Sequence, residues 1–337
     1  MFNNSSKIIF MMMMMMSTII SISANSWMTA WMGLEINLLA FIPLMSANKL
    51  MSTESSLKYF LIQAFASSVM LFAVIIYMMN LKIHFMNITE MMIFSSLLLK
   101  MGAAPFHFWF PSVLEGLTWL NSLMLMTWQK VAPMMLISYI IIKPLMIISI
   151  IMSSLIGALG GLNQTSLRKI MAYSSINHLS WMLMALYNNN LLWVNYFLMY
   201  SFLSMLMIFM FNLFMISHIN QLFMLKFNSK ILFFFMMCNL LSLGGLPPFL
   251  GFFPKWIIIQ SLTLNNQLFL LMIMILSALI TLYFYIRLSY NALMLNYYEN
   301  NWMINSFFNK KLFNLLIFAS FLSMTGFFTI SSLYYIF

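Results

Sequence analysis

Long apolar runs alternate with short polar stretches along the whole chain. The runs lie at about residues 8–24, 27–46, 58–80, 90–114, 118–142, 145–164, 170–187, 191–217, 231–263, 265–287 and 312–336. Most approach the roughly 20 residues that a helix needs to cross a bilayer. They are continuous rather than alternating, which excludes spanning strands. The pattern predicts an all-α polytopic membrane protein with about eleven transmembrane helices.

The basic residues between these runs fall mostly on one side of the predicted membrane. Ten lie on the side of the N-terminus and two, Lys82 and Lys143, on the opposite side; the ten are Lys7, Lys49, Lys58, Arg168, Lys169, Lys226, Lys230, Arg287, Lys310 and Lys311. Basic loops stay on the matrix or cytoplasmic face. The bias therefore predicts an N-terminus on that face and, for an odd number of crossings, a C-terminus on the other.

Composition supports the membrane assignment and narrows the chemistry. Hydrophobic residues make up 64% of the 337 positions and charged residues 6%, far from the roughly 25% charged of a soluble domain. The net charge of +10 is scattered between apolar runs, so a nucleic-acid partner is not expected. The single cysteine, Cys238, excludes a disulfide framework and a cysteine metal site.

The abundance of methionine indicates an AT-rich organellar genome. The chain has 40 Met and 34 Phe but only 10 Gly. A run such as Met11 to Met16 could supply soft metal ligands, but the other apolar runs are also rich in Met. Lipid packing by an adaptable apolar side chain is the favoured interpretation.

Two similar strings indicate an internal repeat. GAAPFHFWFP at 102–111 and GLPPFLGFFP at 245–254 share five identities without a gap, at an offset of 143. Two prolines beside glycine predict a discontinuous helix in each copy. A five-helix unit would make the halves inverted, with repeats at 8–142 and 145–290 and a C-terminal helix at 310–337. Chance repetition in so biased a composition is the alternative.

Three lysines fall inside the predicted spans rather than between them. Lys100 and Lys130 each lie roughly 15 Å from an interface at 1.5 Å per residue, too deep for the side chain to reach water. With Glu35, their burial costs on the order of 8 to 10 kcal/mol. These groups are therefore candidates for a site that loads and releases protons. A buried ion pair that sets helix register is the alternative.

The remaining candidates are one residue at each predicted break and one histidine in the second repeat. Lys255 directly follows Pro254 at the second break, where freed carbonyls and water could solvate it. His107 lies at the first break and could relay protons or satisfy a freed carbonyl. His178 has the polar neighbours Ser174, Ser175 and Asn177, which could organise water.

The sequence carries no motif for a nucleotide or a redox centre. It contains no G-x-G-x-x-G, P-loop, nucleophile elbow or histidine-carboxylate metal spacing. Binding of NADH, ATP or an iron–sulfur cluster by this chain is therefore not expected, and the candidate chemistry is the movement of charge.

Five motifs together resemble one family. They lie in this order between residues 27 and 260: WMGLEINLLAFIP, LLLKMGAAPFHFWFP, LMTWQKVAP, AYSSINHLSWM and GGLPPFLGFFPKW. They resemble the chain 2 family of mitochondrial NADH:ubiquinone oxidoreductase, respiratory complex I, whose members are antiporter-like subunits of the membrane arm.

The resemblance implies a proton-translocating subunit of the mitochondrial inner membrane with two inverted five-helix halves. It implies that Glu35 couples to Lys100, that Lys130 links the halves and that Lys255 serves the exit side. NADH, FMN, iron–sulfur clusters and ubiquinone would be used by other subunits, and no cofactor or metal would be bound here. The implied partners are other core and accessory membrane-arm subunits and lipids such as cardiolipin.

Two other functions remain open at this point. A subunit of a cation/proton antiporter complex shares the superfamily and the broken helices, although the organellar composition argues against it. A structural membrane subunit would use its buried charges only for helix packing.

Overall fold

The computed structural model describes residues 5–46, 49–79, 83–224, 230–295 and 314–326. The chain divides into two compact units, Met1–Ser153 and Ser154–Phe337, with the boundary inside one helix. In the described ranges the regular structure is helical, apart from an isolated bridge between Ser166 and His218. The predicted all-α class is confirmed.

Helices of the first unit are tied together by polar side chains that reach backbone carbonyls. Asn121 donates to the carbonyl of Leu44 at 2.8 Å, and the Trp31 indole donates to that of Ser67 at 3.0 Å. The helices are α1 (Ser5–Ile22), α2 (Trp27–Met45), α3 (Leu50–Met78), α4 (Ile83–Met101), α5 (Trp109–Gly116), α6 (Trp119–Met126), α7 (Trp128–Ile137) and the first part of α8 (Lys143–Gly161).

The second unit is built around α9, whose side chains from Ile170 to Leu186 are almost all buried. Asn189 caps the next helix through a hydrogen bond from the backbone N–H of Leu191. The helices after α8 are α9 (Leu167–Asn188), α10 (Asn190–Phe214), α11 (Ile219–Met224), α12 (Lys230–Gly244), α13 (Phe252–Leu264), α14 (Leu268–Tyr290), which continues into a π-helical turn, and α15 (Asn314–Gly326).

Six helices of the described part are long and apolar enough to cross a membrane alone. They begin at Ser5, Trp27, Leu50, Lys143, Leu191 and Leu268. The other predicted crossings fall on helices that are shorter, interrupted or more polar. Four lysines that entered the charge count, Lys82, Lys226, Lys310 and Lys311, lie beyond the described residues. So does all of 310–337 outside α15.

Two predicted boundaries need correction. The third helix begins at Leu50 rather than at 58, because its polar first turns remain helical: Ser55 and Ser56 bond to carbonyls three residues earlier, and Glu54 pairs with Lys58 at 2.6 Å. The predicted run 118–142 is two helices, because the helix is interrupted by a single turn residue, Thr127.

Candidate functional site

The first interrupted helix separates α4 from α5. The chain turns at Gly102, whose φ of +71° favours glycine, and helical structure resumes at Trp109. The interruption frees carbonyls at the end of α4. The Trp109 indole donates to the Leu99 carbonyl at 3.1 Å and the Gln63 amide donates to the Lys100 carbonyl at 3.2 Å. Neutral side chains therefore donate hydrogen bonds to the carbonyls at this break.

Lys100 lies at this break with only 8% of its side chain exposed. It borders a cavity of ≈ 20 Å³, which is enough for about one water molecule. Polar groups contribute much of the lining, and the lining residues are Leu34, Asn37, Leu38, Tyr59, Gln63, Lys100, Gln129 and Pro133. A buried ammonium beside amides and a phenol can be solvated in this space without reaching the membrane surface.

Glu35 lies on α2 and is half-buried. Among the described residues it forms no ion pair at contact distance with Lys100, although its carboxylate attracts that lysine electrostatically. Its neighbour Asn37 accepts a hydrogen bond from Gln129 at 3.0 Å, which ties α2 to α7. The arrangement fits a carboxylate that acts on Lys100 from a distance more than a closed ion pair.

Lys130 is the most deeply buried of the three lysines, with 1% of its side chain exposed. It lies in the first turn of α7, directly after the helix interruption at Thr127. Its Nζ lies 5.1 Å from the centre of the Phe110 ring, a cation–π distance. The structure thus brings Lys130 to α5, which follows the first break.

His107 lies within the first break and is also buried, at 6% exposure. Its Nδ1 lies 3.3 Å from the Pro105 carbonyl, and its ring packs on Phe108 at 4.2 Å. A carbonyl only accepts, so this contact needs a hydrogen on Nδ1. Of the two roles considered for His107, the contact supports the satisfaction of a freed carbonyl.

The second interrupted helix separates α12 from α13. Gly245 turns the chain with a φ of +83°. The Lys255 ammonium donates to the carbonyl of Gly244, the last residue of α12, at 2.7 Å. Lys255 is 6% exposed and lies 6.0 Å from the Trp181 ring of α9. As the sequence predicted, a freed carbonyl solvates this lysine.

His178 lies on the same helix as Trp181 and is 8% exposed. Its Nδ1 lies 2.8 Å from the hydroxyl oxygen of Tyr196, and the Tyr200 ring packs 4.9 Å away. Ser174 and Ser175 bond to carbonyls of their own helix. A polar partner of His178 is thus a tyrosine from α10.

Sequence reasoning missed the neutral polar groups around the charged ones. These are Asn37, Tyr59, Gln63 and Gln129 near Lys100, and Tyr196 beside His178. The available signal was an amide or a phenol inside an apolar run. That signal is weak because such residues are frequent in this chain, whereas charges are rare.

The six predicted residues form two groups. Lys100, Lys130, His107 and Glu35 lie in the first unit, and His178 and Lys255 lie in the second. Within the described ranges, no three His, Cys, Asp or Glu side chains are placed to hold a metal ion. The arrangement supplies buried groups that can accept and donate protons.

The fold and these buried groups define a multi-pass transporter-like membrane protein. A family model described as NADH:quinone oxidoreductase/Mrp antiporter, transmembrane region, matches residues 24–281, and the model for the C-terminus of NADH dehydrogenase subunit 2 matches residues 282–334. The chain belongs to the NADH:quinone oxidoreductase/Mrp antiporter family.

A curated relative agrees with this membership, and solved structures share the fold. NADH-ubiquinone oxidoreductase chain 2 of Anopheles gambiae is 57% identical over 325 residues, which cover 95% of both chains. A chain of respiratory complex I from Thermus thermophilus matches with a TM-score of 0.84 at 21% identity, covering 95% of this chain and 77% of that one. A chain of the Mrp complex from Dietzia sp. matches with a TM-score of 0.74 at 14% identity, covering 84% and 59%.

Proposed function

We propose that this chain is a core subunit of the membrane arm of respiratory complex I and translocates protons across the mitochondrial inner membrane. NADH oxidation and ubiquinone reduction on other subunits drive the movement. The observation that carries the proposal is the burial of three lysines, Lys100, Lys130 and Lys255, at 8% exposure or less. Each lysine costs about 2.5–3.5 kcal/mol at a membrane helix centre, which packing alone does not require.

The proton pathway comprises the six residues that the sequence predicted. In the first unit, Glu35 acts on Lys100 through its charge and Lys130 carries the proton further, while His107 supports the break. In the second unit, His178 and Lys255 continue the pathway. The supporting observations are the water-sized cavity beside Lys100 and the hydrogen bonds of Lys255 and His178.

The proposed architecture has about eleven crossings, with five-helix repeats at 8–142 and 145–290 and the helix at 310–337 outside them. Gly102 and Gly245, which are equivalent in the repeat, both have positive φ at a break. This similarity of backbone supports the repeat over chance. The charge bias supports an N-terminus in the matrix and a C-terminus in the intermembrane space.

This chain binds none of the redox cofactors on our proposal. The lack of nucleotide and cluster motifs in its sequence supports this assignment. Its partners are the neighbouring core and accessory subunits of the membrane arm. Lipids such as cardiolipin would contact its apolar surface, and its matrix-side basic residues suit anionic headgroups.

The two other functions make different demands. The match of residues 282–334 to a family model specific to subunit 2 supports complex I over a cation/proton antiporter complex. A purely structural subunit would tolerate an isosteric neutral residue at each buried lysine.

Lys130→Met in the assembled complex tests conduction against the structural role. We expect normal assembly and proton pumping at least about tenfold lower, a change of 1.4 kcal/mol or more. NADH-driven acidification in inner-membrane vesicles, normalised to the amount of complex, measures it. Lys143→Met, an exposed lysine at the start of α8, is the matched control. Normal pumping by Lys130→Met would refute the proposal.

A further inference from the structure

One polar contact of the second unit joins two buried side chains that no sequence motif singled out as a pair. Tyr196 is 2% exposed and His178 8%, and the hydroxyl oxygen lies 2.8 Å from Nδ1. The two residues come from adjacent helices, α9 and α10. A buried contact of this length is a full hydrogen bond.

The chemistry of the partner distinguishes the two buried histidines. The Pro105 carbonyl beside His107 can only accept, so Nδ1 of His107 keeps its hydrogen. A tyrosine hydroxyl both donates and accepts. Tyr196 can therefore bond to Nδ1 of His178 whether that nitrogen carries a hydrogen or not.

Tyr196 also faces the second interrupted helix. Together with Asn195 it lines a cavity of ≈ 10 Å³ whose opposite wall includes Pro254 and Ile258 of α13. This volume is at the lower limit for one water molecule, and Asn195 and Tyr196 are the polar residues of a lining that is otherwise apolar. Pro254 directly precedes Lys255, so Tyr196 and the start of α13 line the same cavity one residue before the lysine.

We propose that Tyr196 is a further proton-carrying residue, which passes protons between Nδ1 of His178 and the α13 side of the second unit. A proton enters the ring at Nε2 and gives an imidazolium. The Nδ1–H bond then breaks as that proton bonds to the Tyr196 oxygen, and the original hydroxyl proton leaves to a water molecule. Histidine and tyrosine both end neutral, and one proton has crossed the pair. This inference rests on the proposed proton-translocating function.

Tyr196→Phe removes the hydroxyl and keeps the ring. We expect assembled complex in normal amounts, unchanged KM values for NADH and ubiquinone, and proton pumping about 100-fold lower, the lower end of the range for loss of an acid–base group. Tyr200→Phe is the matched control, because its ring also packs on His178 while the Nδ1 contact remains. We expect pumping within about twofold of wild type there.

The double variant Tyr196→Phe/His178→Gln tests whether the pair acts in series. If the two residues act in series, the pumping rate of the double variant equals that of the less active single variant. Multiplied losses would overturn the inference, as would Tyr196→Phe that pumps like wild type. Should Tyr196→Phe assemble poorly, infrared difference spectra of the wild-type complex during pumping supply the second measurement. A tyrosine hydroxyl signal is expected, and its absence would refute the relay.

Lys130→Met distinguishes failure of the proposed function from failure of the Tyr196 relay alone. Normal pumping by Lys130→Met removes the proposed function and the relay together. Lost pumping by Lys130→Met with normal pumping by Tyr196→Phe removes only the relay.

Discussion

The two interrupted helices share a backbone solution but differ in how they satisfy the carbonyls they free. Both turn at a glycine with positive φ, Gly102 or Gly245. At the first break the donors are the neutral side chains of Trp109 and Gln63. At the second break the donor is the ammonium of Lys255. Lys255 therefore donates to a backbone carbonyl at its break, whereas within the described residues Lys100 does not donate to one at the first break.

This difference matters for proton movement because a lysine that loses its proton keeps hydrogen-bond donors but loses its charge. Lys255 remains able to donate to Gly244 when neutral, through a weaker bond. Within the described chain the Lys100 ammonium has no protein hydrogen bond to weaken, and it borders the small cavity instead. Protonation of Lys255 is thus coupled to the backbone of its break, and that of Lys100 to the cavity.

The largest expected effect comes from replacing each lysine in turn. Lys100→Met and Lys255→Met should each lower NADH-driven pumping at least about tenfold. Their stabilities should differ. Both remove a burial cost of about 2.5–3.5 kcal/mol, but only Lys255→Met also leaves a carbonyl unsatisfied, at about 1–3 kcal/mol.

Thermal dissociation of the purified complexes measures that second difference. We expect a higher midpoint for Lys100→Met than for Lys255→Met. Equal midpoints would show that the hydrogen bond to Gly244 contributes nothing, and the distinction between the breaks would fail.

The next largest expected effect comes from replacing the glycine at each break by alanine. An alanine at Gly102 or Gly245 would have to adopt a left-handed conformation, at about 1–2 kcal/mol. At Gly245 the new methyl would also lie 2.9 Å from Nζ of Lys255, whereas at Gly102 it would contact the Phe110 ring. Gly245→Ala should therefore reduce pumping more than Gly102→Ala at comparable assembly, as vesicle acidification would reveal. The reverse order would contradict the comparison.

The smallest effect concerns the neutral donors of the first break. Trp109→Phe removes one hydrogen bond, to Leu99, and should destabilise the complex by about 0.5–1.5 kcal/mol. Pumping should stay near wild type, since Lys100 keeps its cavity. The dissociation midpoint and the acidification rate are the two readouts, and a large loss of pumping would show that this break also controls its lysine.

The sequence predicted the charged members of the site because a charge in an apolar run is conspicuous, as at Lys100 and Lys130. It also predicted both glycine-proline breaks, since glycine and proline close together disfavour a continuous helix. It did not predict the helix interruption at Thr127, which has no glycine or proline beside it. Nor did it find Gln63 or Tyr196, because their partners lie on other helices and only packing reveals the pairing.

The last described helix has a consequence for the order in which the molecule is made. The backbone N–H of Leu250, within the second break, donates to the carbonyl of Ser323 in α15 at 3.1 Å, and the Ser323 hydroxyl donates to Asn239 of α12. The ribosome makes α12 and α13 before α15. During synthesis the second break is therefore in place before α15 can supply its hydrogen-bond partner. The donors of the first break, Gln63 and Trp109, are made shortly before and shortly after that break. A chain arrested before residue 314 would carry a completed first break and an unfinished second one.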